Sequence, residues 1–510
     1  MPPNTAFGDG YSVVNSRRDT PRVSSAQPNA TLAHTLSVES SATIASPREL
    51  AQSICATLQS HGYQALIAGG SVRDLLLKRV PVDFDVATDA LPDQVMALFP
   101  DSLAVGAQFG VVQVWHGEFK AEIATFRADG DYSDGRRPDQ VIYTKSPEED
   151  VRRRDFTING LLMQPETGEV LDFVGGQSDL KAGLIRAIGD PNRRFAEDKL
   201  RLIRAVRFAA RFGFAIEPQT LAAIQRRASE ISVVSAERLR DELTKILTEG
   251  NARRGFELLD ETGLLPFVLP EIAAMKGVQQ PPQYHPEGDV WTHTLLMIEQ
   301  LPAGTPATLA WGVLLHDVGK PPTFRPISET GDRIRFDGHA GVGERMGGEI
   351  CRRFRFSNED TEQIVALIAN HMRFKDVDRM RAATLKRFVR MPRFDQHMEL
   401  HRLDCTSSHR LLNAYNFIQT MLAETPHEEI HPPKLLTGDD LLAMGYRQGP
   451  LLGQILGMLE DAQLEGKVGT REDAAQFVRS KFKPKGSAHS EEEAGTADSQ
   501  NNSLRGVGQS

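Results

Sequence analysis

A change in the spacing of apolar residues near Asp190 constrains the fold more than any other feature of the sequence. Before it, short apolar runs predict strands at 65–68, 84–87, 111–115 and 119–126, and helical spacing predicts helices at 47–59 and 91–99. After it, helical periodicity dominates. We therefore predict an α+β chain, in which a small mixed-sheet head is followed by an all-α neck and body and a further helical domain.

The length of the chain predicts several units. At roughly 100 to 200 residues per domain, 510 residues exceed what one hydrophobic core can organise. Residues 1–46 and 486–510 are rich in small polar residues without a sustained period, which predicts disordered tails. Between the tails we predict a head at 47–188, a helical neck and body at 189–278, a further helical domain at 279–425 and a helical C-terminal segment at 426–485.

Composition excludes several classes of protein. No apolar run approaches the roughly 18 residues that a membrane span requires, so we predict a soluble protein. The first residues lack the pattern of a signal peptide, and Cys55, Cys351 and Cys405 lack CxxC spacing, which favours a reducing cytoplasm. A net charge of −9 argues against a chain coated in nucleic acid but allows one local basic groove.

A glycine turn and two aspartates form the first candidate site. Gly69 and Gly70 lie between a predicted strand and a helical pattern, where backbone N–H groups can approach a phosphate chain. Asp83 and Asp85 are two apart on a predicted strand, so both side chains project from one face and can bind the metal ions of a phosphoryl-transfer site. Glu122, on a neighbouring predicted strand, could add a third carboxylate. The alternatives are an ordinary strand-to-helix turn and an exposed edge face.

Four short motifs follow one another between residues 69 and 204. They are GGSVRD at 69–74, DFD at 83–85, RRDFTING at 153–160 and EDKLRLIR at 197–204. In their order and spacing they resemble the bacterial tRNA nucleotidyltransferase and poly(A) polymerase family, over residues from about 50 to about 270. This resemblance implies addition of C, C and A to the 3′ end of tRNA from CTP and ATP without a template, by a nucleotidyltransferase head with helical neck, body and tail regions.

The resemblance also implies residue roles. Asp83 and Asp85 would hold the catalytic Mg²⁺, with Glu122 as a third catalytic carboxylate. The implied nucleotide-binding residues are Gly69, Gly70, Arg73, Arg154, Asp198, Arg201, Arg204 and Arg207. By motif position, Asp198 and Arg201 would read the base, and Arg204 and Arg207 would face the triphosphate or the base stack. Arg154 would face the sugar or a phosphate.

A helix predicted from Arg194 to Phe212 gives a physical reason for base reading. At about 100° per residue, its arginines from Arg201 onward fall within an arc of about 120°, opposite an apolar face. Asp198 lies one turn before Arg201, so both side chains can reach one flat ligand. Cytosine and adenine both present an amino donor beside a ring-nitrogen acceptor, which suits a carboxylate with a guanidinium. The alternative is a solvated basic helix face.

Two segments bear on how many nucleotides are added. Relatives that add only CC lack a flexible loop after the DFD motif, whereas residues 126–138 are present here and rich in glycine and charge, which favours full CCA addition. Poly(A) polymerase relatives tend to carry a basic, aromatic stretch where residues 105–112 read VGAQFGVV. Addition of CC alone, of A alone or of a poly(A) tail stays an alternative.

A second constellation occurs in the further helical domain. His293, then His316 and Asp317, then Asp404 follow the order that resembles the HD phosphohydrolase superfamily. Imidazole and carboxylate together suit a divalent metal that activates water, here Mg²⁺, Mn²⁺ or Ni²⁺. The side chains of His339 and His371 could complete a second metal position. We predict ordinary core or surface roles for His285, His397, His401 and His409.

The HD resemblance implies metal-dependent phosphodiesterase or phosphatase activity toward 2′,3′-cyclic or terminal phosphates. Such a domain would clear damaged RNA ends before nucleotide addition. The alternatives are a structural or regulatory HD site, an HD hydrolase whose head only binds tRNA, and an RNA scaffold without turnover. We predict that basic residues around Arg238, Arg240, Arg253 and Arg254 contact the tRNA elbow. We predict no membrane partner, and the sequence does not indicate an oligomeric state.

Overall fold

The structure of the protein is a computed structural model that describes residues 44–105, 110–129 and 141–482. Most of the two predicted tails, the greater part of the loop at 126–138 and the middle of the segment at 105–112 lie outside these residues. The chain divides into a first unit, Met1–Ile368, and a second unit, Ala369–Ser510. This division falls inside the helical domain predicted at 279–425, whose limits stay a prediction.

The first unit contains the predicted mixed sheet. Its strands, with two small sheets included, are β1 Ala65–Ala68, β2 Asp85–Thr88, β3 Ser102–Ala104, β4 Val111–His116, β5 Phe119–Thr125, β6 Arg127–Asp129, β7 Val141–Tyr143, β8 Leu161–Met163, β9 Val170–Asp172, β10 Leu184–Ile185 and β11 Ala215–Ile216. The seven-stranded sheet has the order β3-β4-β5-β2-β1-β8-β9. Only the β2–β5 pairing in it is parallel. The four predicted strands are confirmed to within one residue at each end.

Helices make up the rest of the first unit. They are α1 Pro47–Ser60, α2 Gly70–Leu76, α3 Pro92–Leu98, α4 Pro147–Arg152, α5 Gly176–Ala182, α6 Pro191–Glu197, α7 Leu200–Phe212, α8 Pro218–Arg227, α9 Ala236–Thr248, α10 Ala252–Glu261, α11 Leu265–Val268, α12 Pro270–Ala273, α13 Val290–Glu299, α14 Ala307–Leu315, α15 Lys320–Thr323, α16 Ile327–Thr330, α17 His339–Arg353 and α18 Asn358–Asn370, which contains the unit boundary. Short 3₁₀ helices occupy Thr157–Asn159 and Ala228–Val233.

The helix predicted from Arg194 to Phe212 is wrong as one element, because the chain breaks at Asp198. This residue has φ −143° and ψ 109°, an extended conformation between α6 and α7. Its side chain accepts a hydrogen bond from the Leu200 N–H at 3.1 Å, at the start of α7. A short carboxylate side chain that binds nearby backbone N–H groups competes with a continuous helix, and here it binds the N–H of the first residue of α7. The apolar face predicted for this region is confirmed, since Ile203 and Val206 are fully buried.

The second unit is helical in its described residues. After a 3₁₀ helix at His371–Arg379 come α19 Ala382–Val389, α20 Phe394–Ser407, α21 Asn413–Glu424, α22 His427–Ile430, α23 Gly438–Ala443, α24 Pro450–Leu464 and α25 Arg471–Lys481. One apolar cluster contains Phe374, Phe388 and Ile418, and a second contains Ile455 and Val478. The helical character predicted for 426–485 is therefore confirmed as far as residue 482, and the limits of this segment stay a prediction. In the parts of the chain that the structure describes, no helix is long and apolar enough to cross a membrane.

Candidate functional site

The glycine turn ends β1 and begins α2 under an arginine. Gly69 has φ +68°, in the region that favours glycine, and its N–H donates to the Leu161 carbonyl at 2.9 Å. A Cβ placed on Gly69 would lie 3.0 Å from Nη1 of Arg154. The absence of a side chain therefore allows the Arg154 guanidinium to lie directly over the turn.

Three carboxylates meet beside this turn. Asp85 is the first residue of β2, and in the parallel pairing it stands in register with Glu122 on β5. Asp83 is exposed in the connection before β2, so it does not share a strand face with Asp85 as predicted. Burial, followed by the charges of Asp83 and Glu122, raises the pKa of Asp85 from its ordinary 3.8 to about 7, while Arg154 opposes the rise.

The donor set fits a hard divalent cation. Oxygen ligands from carboxylates are what Mg²⁺ binds in proteins, and a bound cation would offset both the burial of Asp85 and its repulsion by two neighbouring carboxylates. Glu122 is further oriented by Gln113, whose Nε2 donates to its Oε1 at 2.9 Å. Asp83 and Glu122 are thus close enough to raise the pKa of Asp85, although Asp83 lies in a loop before β2.

The arginine over the turn is held by a buried acid. Arg154 Nη2 lies 2.9 Å from Asp150 Oδ2, and Arg153 Nη2 lies 2.6 Å from Asp150 Oδ1. Burial alone would raise the pKa of Asp150, but the charges and hydrogen bonds of the two arginines outweigh it and lower that pKa. Asp150 therefore fixes the direction of the Arg154 guanidinium toward Gly69.

Arg73 lies beside the glycine turn in a buried packing role, and a Cβ placed on Gly70 would lie 3.5 Å from its Nη2. It is 4% exposed, donates through Nη1 to Asn159 Oδ1 at 2.5 Å and pairs with Asp74 at 2.8 Å. Its guanidinium also lies 4.7 Å from the ring centroid of Phe212 on α7. These contacts join α2 to α7, so nucleotide binding by Arg73 stays a prediction.

The cationic face predicted on α7 exists, but acids from other segments neutralise it. Its arginines pair as follows: Arg204 with Asp155 at 2.6 Å, Arg207 with Glu242 at 2.6 Å and Glu249 at 3.2 Å, and Arg211 with Glu249 at 3.5 Å and Asp74 at 3.7 Å. Asn159 closes the circuit, because it donates to Asp155 at 3.0 Å and accepts from Arg73. This closed circuit of alternating charges links the head motifs to α7 and α9.

Asp198 and Arg201 lie at the start of α7, each with partners of its own. Arg238 on α9 donates to both Asp198 oxygens, at 3.2 Å and 2.8 Å. Arg201 pairs with Glu197 at 2.8 Å, and its backbone N–H donates to the Asp198 carbonyl at 3.1 Å. The two predicted base readers are therefore brought together by one tight turn, whereas the prediction placed them on one continuous helix.

The arginines sought for the tRNA elbow all have carboxylate neighbours. Arg238 pairs with Asp198, as described. Arg240 pairs with Asp241 at 2.8 Å, and the other two pair with glutamates, Arg253 with Glu257 and Arg254 with Glu261. Their contact with RNA stays a prediction.

The HD residues of the first unit surround Asp317. His316 and Asp317 follow the end of α14 in a turn, so they do not lie on a helix as predicted. Asp317 lies 3.0 Å from His316 Nε2, 3.6 Å from His339 Nε2 and 2.7 Å from Lys320 Nζ. Burial alone would raise the pKa of Asp317, but the charges of its neighbours, His316 and Lys320 first, hold it well below its usual range.

The imidazole orientations fit a metal at this place. Nδ1 of His316 lies 2.8 Å from the Val313 carbonyl, and Nδ1 of His339 lies 2.9 Å from the Phe336 carbonyl. Because a carbonyl oxygen only accepts, each Nδ1 carries a hydrogen, so in the neutral ring the lone pair is on Nε2, the nitrogen that faces the Asp317 carboxylate. Nitrogen and oxygen acceptors that converge in this way suit a divalent cation.

His285 and Glu287 are missed by the sequence reasoning. His293, on α13, and His285 both place Nδ1 beside Glu287 Oε1, at 2.7 Å and 2.8 Å. Burial alone would raise the pKa of Glu287, but hydrogen bonds from the two histidines lower it to about 2. Only the spacing of a glutamate between two histidines, at 285, 287 and 293, could have signalled this cluster.

The remaining predicted HD residues belong to the second unit. Asp404 lies on α20, and His371 begins the 3₁₀ helix at 371–379. Their part in a metal site stays a prediction. Of the histidines predicted to have core or surface roles, His397 and His401 are buried beside aromatic rings and His409 is exposed.

Three protein-family models match successive parts of the chain. The poly A polymerase head domain matches residues 65–186, and a model described as a probable RNA and SrmB-binding site of polymerase A matches residues 213–276. The HD domain matches residues 289–402. The head and HD families both imply dependence on a divalent metal.

Individual relatives point to one family. The CCA-adding enzyme of Geobacillus sp. (strain WCH70) is 45% identical over 218 residues, 43% of this chain and 54% of the relative, so the match spans about half of that relative's length. The crystal structure of the Bacillus stearothermophilus CCA-adding enzyme in complex with CTP has a TM-score of 0.66 and 26% identity, covering 85% of this chain and 97% of that one. The CCA-adding enzyme of Levilactobacillus brevis is 33% identical over 430 residues, 84% of this chain and 96% of the relative. The chain therefore belongs to the family of CCA-adding enzymes.

Proposed function

We propose that this protein adds C, C and A to the 3′ end of tRNA from CTP and ATP, without a template strand. In each step the 3′ oxygen of the RNA bonds to the α-phosphorus, the bond from that phosphorus to the next bridging oxygen breaks, and pyrophosphate leaves. Membership of the CCA-adding enzyme family supports the proposal, as does the likeness to a relative crystallised with CTP.

One observation carries the proposal: the partly buried carboxylate of Asp85 lies in register with Glu122, and its charge is opposed by that of Arg154, which covers the Gly69 turn. Asp83 and Asp85 would hold Mg²⁺, which when bound supplies electrostatic stabilisation of the phosphoryl oxygens. Gly69 would let the backbone approach the triphosphate, and Arg154 would bind a phosphate oxygen between the turn and the carboxylates.

Base selection would use the two residues at the start of α7. The Asp198 carboxylate offers about four acceptor positions, of which Leu200 N–H and Arg238 occupy three among the described contacts. The fourth, on Oδ2, could accept the exocyclic amine of cytosine or adenine, while Arg201 donates to the ring nitrogen. Guanine and uracil present a carbonyl at the amine position, so two acceptors would meet.

Two other arginines on α7, Arg204 and Arg207, differ in solvent exposure and therefore in proposed role. The Arg204 side chain is 31% exposed, so it could still contact the triphosphate or the base stack. Arg207 is 5% exposed between two carboxylates, and we assign it to positioning the helix. Gly70 and Arg73 would support the turn from α2.

The HD residues support a second activity, metal-dependent hydrolysis of 2′,3′-cyclic or terminal phosphates. The observation that favours it is the convergence of the His316 and His339 Nε2 atoms on Asp317. His293 would add a ligand on the first unit, and parts for Asp404 and His371 stay predictions. The imidazole content suits Mn²⁺ or Ni²⁺ better than Mg²⁺. A cytoplasmic location, where tRNA matures, agrees with three free, buried cysteines.

Labelled CTP and ATP, alone and together with Mg²⁺, test the first activity on tRNA transcripts that end before CCA, after CC and after CCA. We expect addition that stops at CCA and is lost in Asp83→Ala. Addition of CC alone, of A alone or of a long A tail would assign the corresponding partial or poly(A) activity. Tight tRNA binding without incorporation would leave an HD hydrolase with a non-catalytic head.

Hydrolysis of 2′,3′-cyclic AMP with Mg²⁺, Mn²⁺ or Ni²⁺ tests the second activity. We expect loss of turnover in His316→Ala and Asp317→Ala and retention in His409→Ala, a control at an exposed histidine. Turnover absent with all three metals would contradict hydrolysis and leave a structural or regulatory HD site.

A further inference from the structure

We propose that Glu287 is a positioning residue of the HD metal site, and that through it His285 joins His293 as an additional imidazole ligand for a divalent transition-metal ion. The inference rests on the proposed metal-dependent function of the HD residues. His285 and Glu287 lie in the connection before α13, outside the predicted positions of the H, HD and D motif residues.

The geometry of Glu287 is that of a shared acceptor. Its Oε1 lies 2.7 Å from Nδ1 of His293 and 2.8 Å from Nδ1 of His285, and its side chain is 7% exposed. A carboxylate without a proton only accepts, so both Nδ1 atoms carry hydrogen. In the neutral state each ring then has its lone pair on Nε2, the atom that can bind a metal.

The same tautomer is set at the two other histidines of this cluster by different means. His316 and His339 donate from Nδ1 to the backbone carbonyls of Val313 and Phe336. Four imidazoles thus share one protonation pattern, two through the backbone and two through one side chain. Glu287 is the part of this arrangement that a substitution can remove without changing a metal ligand on α13.

The positions of the rings favour a shared role. The His285 and His293 ring centroids lie 4.9 Å apart at 82°, and those of His293 and His316 lie 5.4 Å apart. A carboxylate behind a metal-binding histidine fixes its orientation and raises its basicity, and losing such a partner typically costs 10- to 100-fold in metal affinity.

Metal binding without catalysis provides the test. The full chain carrying Asp83→Asn and Asp85→Asn, which remove the head carboxylates, is titrated calorimetrically with Mn²⁺ and with Ni²⁺. In this background we expect Glu287→Gln to weaken binding at least 10-fold and His285→Ala to weaken it by a similar factor. Glu299→Gln is the matched control, because Glu299 ends α13 and pairs with Arg253 on the exposed side; it should bind as the background does.

A second measurement needs no variant at either position. In protein carrying ¹⁵N-histidine, long-range ¹⁵N–¹H correlations should show hydrogen on Nδ1 of His285 and His293 in the metal-free state. Hydrogen on Nε2 of either ring, or unchanged metal affinity in both Glu287→Gln and His285→Ala, would overturn the inference while leaving HD metal binding intact. If the background protein binds neither metal, the inference and the HD part of the proposed function both fall.

Discussion

Asp198, just before α7, and Arg238, in the first turn of α9, form a two-point ion pair with oxygen–nitrogen distances of 3.2 Å and 2.8 Å. The Arg238 side chain is 25% exposed and that of Asp198 is 16% exposed, so water screens the pair only in part. The pair holds the carboxylate in one orientation and leaves one acceptor position on Oδ2. A residue sought for tRNA contact thus supports the proposed reader of the base.

Arg238→Ala should therefore loosen base selection. Without the guanidinium the Asp198 carboxylate can rotate, and we expect kcat/KM for CTP to fall about tenfold, roughly 1.4 kcal/mol, while misincorporation of UTP rises. Single-nucleotide incorporation on a transcript ending before CCA measures both. Lys245→Ala, at an exposed position of the same helix, is the control. Unchanged selectivity in Arg238→Ala would refute the role.

The raised pKa of Asp85 predicts how stability changes with pH in metal-free protein. Because its pKa is about 7 in the folded state and 3.8 ordinarily, the folded state holds a proton between these values that the unfolded state lacks. The contribution of Asp85 to stability therefore falls as the pH rises through 7. Asp85→Asn should raise the free energy of unfolding at pH 8 by on the order of 2 kcal/mol, and by less at pH 5.

Thermal unfolding in EDTA at the two pH values measures this difference. Mg²⁺ should raise the Tm of the wild type at pH 8 more than that of Asp85→Asn, since the variant lacks the partly buried carboxylate charge. Asp101→Asn, at an exposed position of the head, is the control. An equal effect of Asp85→Asn at both pH values would show that the carboxylate is not held at a raised pKa.

Gly69→Ala should damage nucleotide binding more than its backbone strain explains. The new Cβ would meet Arg154 Nη1 at 3.0 Å as well as strain a φ of +68°. Gly62→Ala is the matched control, because it has φ +85° with nothing within 4 Å of its Cβ. We expect the KM for CTP to rise about tenfold in Gly69→Ala only. The free energy of unfolding should fall by about 1 kcal/mol in both variants. Equal kinetics in the two variants would contradict a close approach of the nucleotide.

Glu242→Gln should destabilise the first unit. Glu242 is 3% exposed and lies 2.6 Å from Arg207 and 3.8 Å from Arg204. Removing one charge from a buried pair costs about 3 kcal/mol, because the remaining guanidinium keeps its desolvation penalty. Urea unfolding followed by tryptophan fluorescence measures the loss. Glu237→Gln, at an exposed pair with Arg355, should change the midpoint little, and the opposite ranking would refute the closed charge circuit as a stabilising element.

Much of the fold follows from local sequence patterns. Apolar spacing is a short-range property, which is why β1, β4 and β5 and the apolar face of α7 agree with the predictions. The order of the four motifs and of the HD residues indicates the family for the same reason, since each motif is a run of neighbours. The short strands β8 and β9, with three residues each, carry too little pattern to be recognised.

The sequence by itself determined the α+β class, the family and the residue types of both candidate sites. Only the tertiary structure decided which charged groups meet. Asp198 and Arg238 are 40 residues apart, Arg73 and Asn159 are 86 apart, and His285 gains its place through Glu287. A charged side chain pairs with an opposite charge that tertiary packing brings within about 4 Å. Local sequence periodicity does not predict which residue that partner is. The break between α6 and α7 at Asp198 also depends on tertiary structure. At this break the Asp198 carboxylate accepts hydrogen bonds from the Leu200 N–H and from Arg238 on α9.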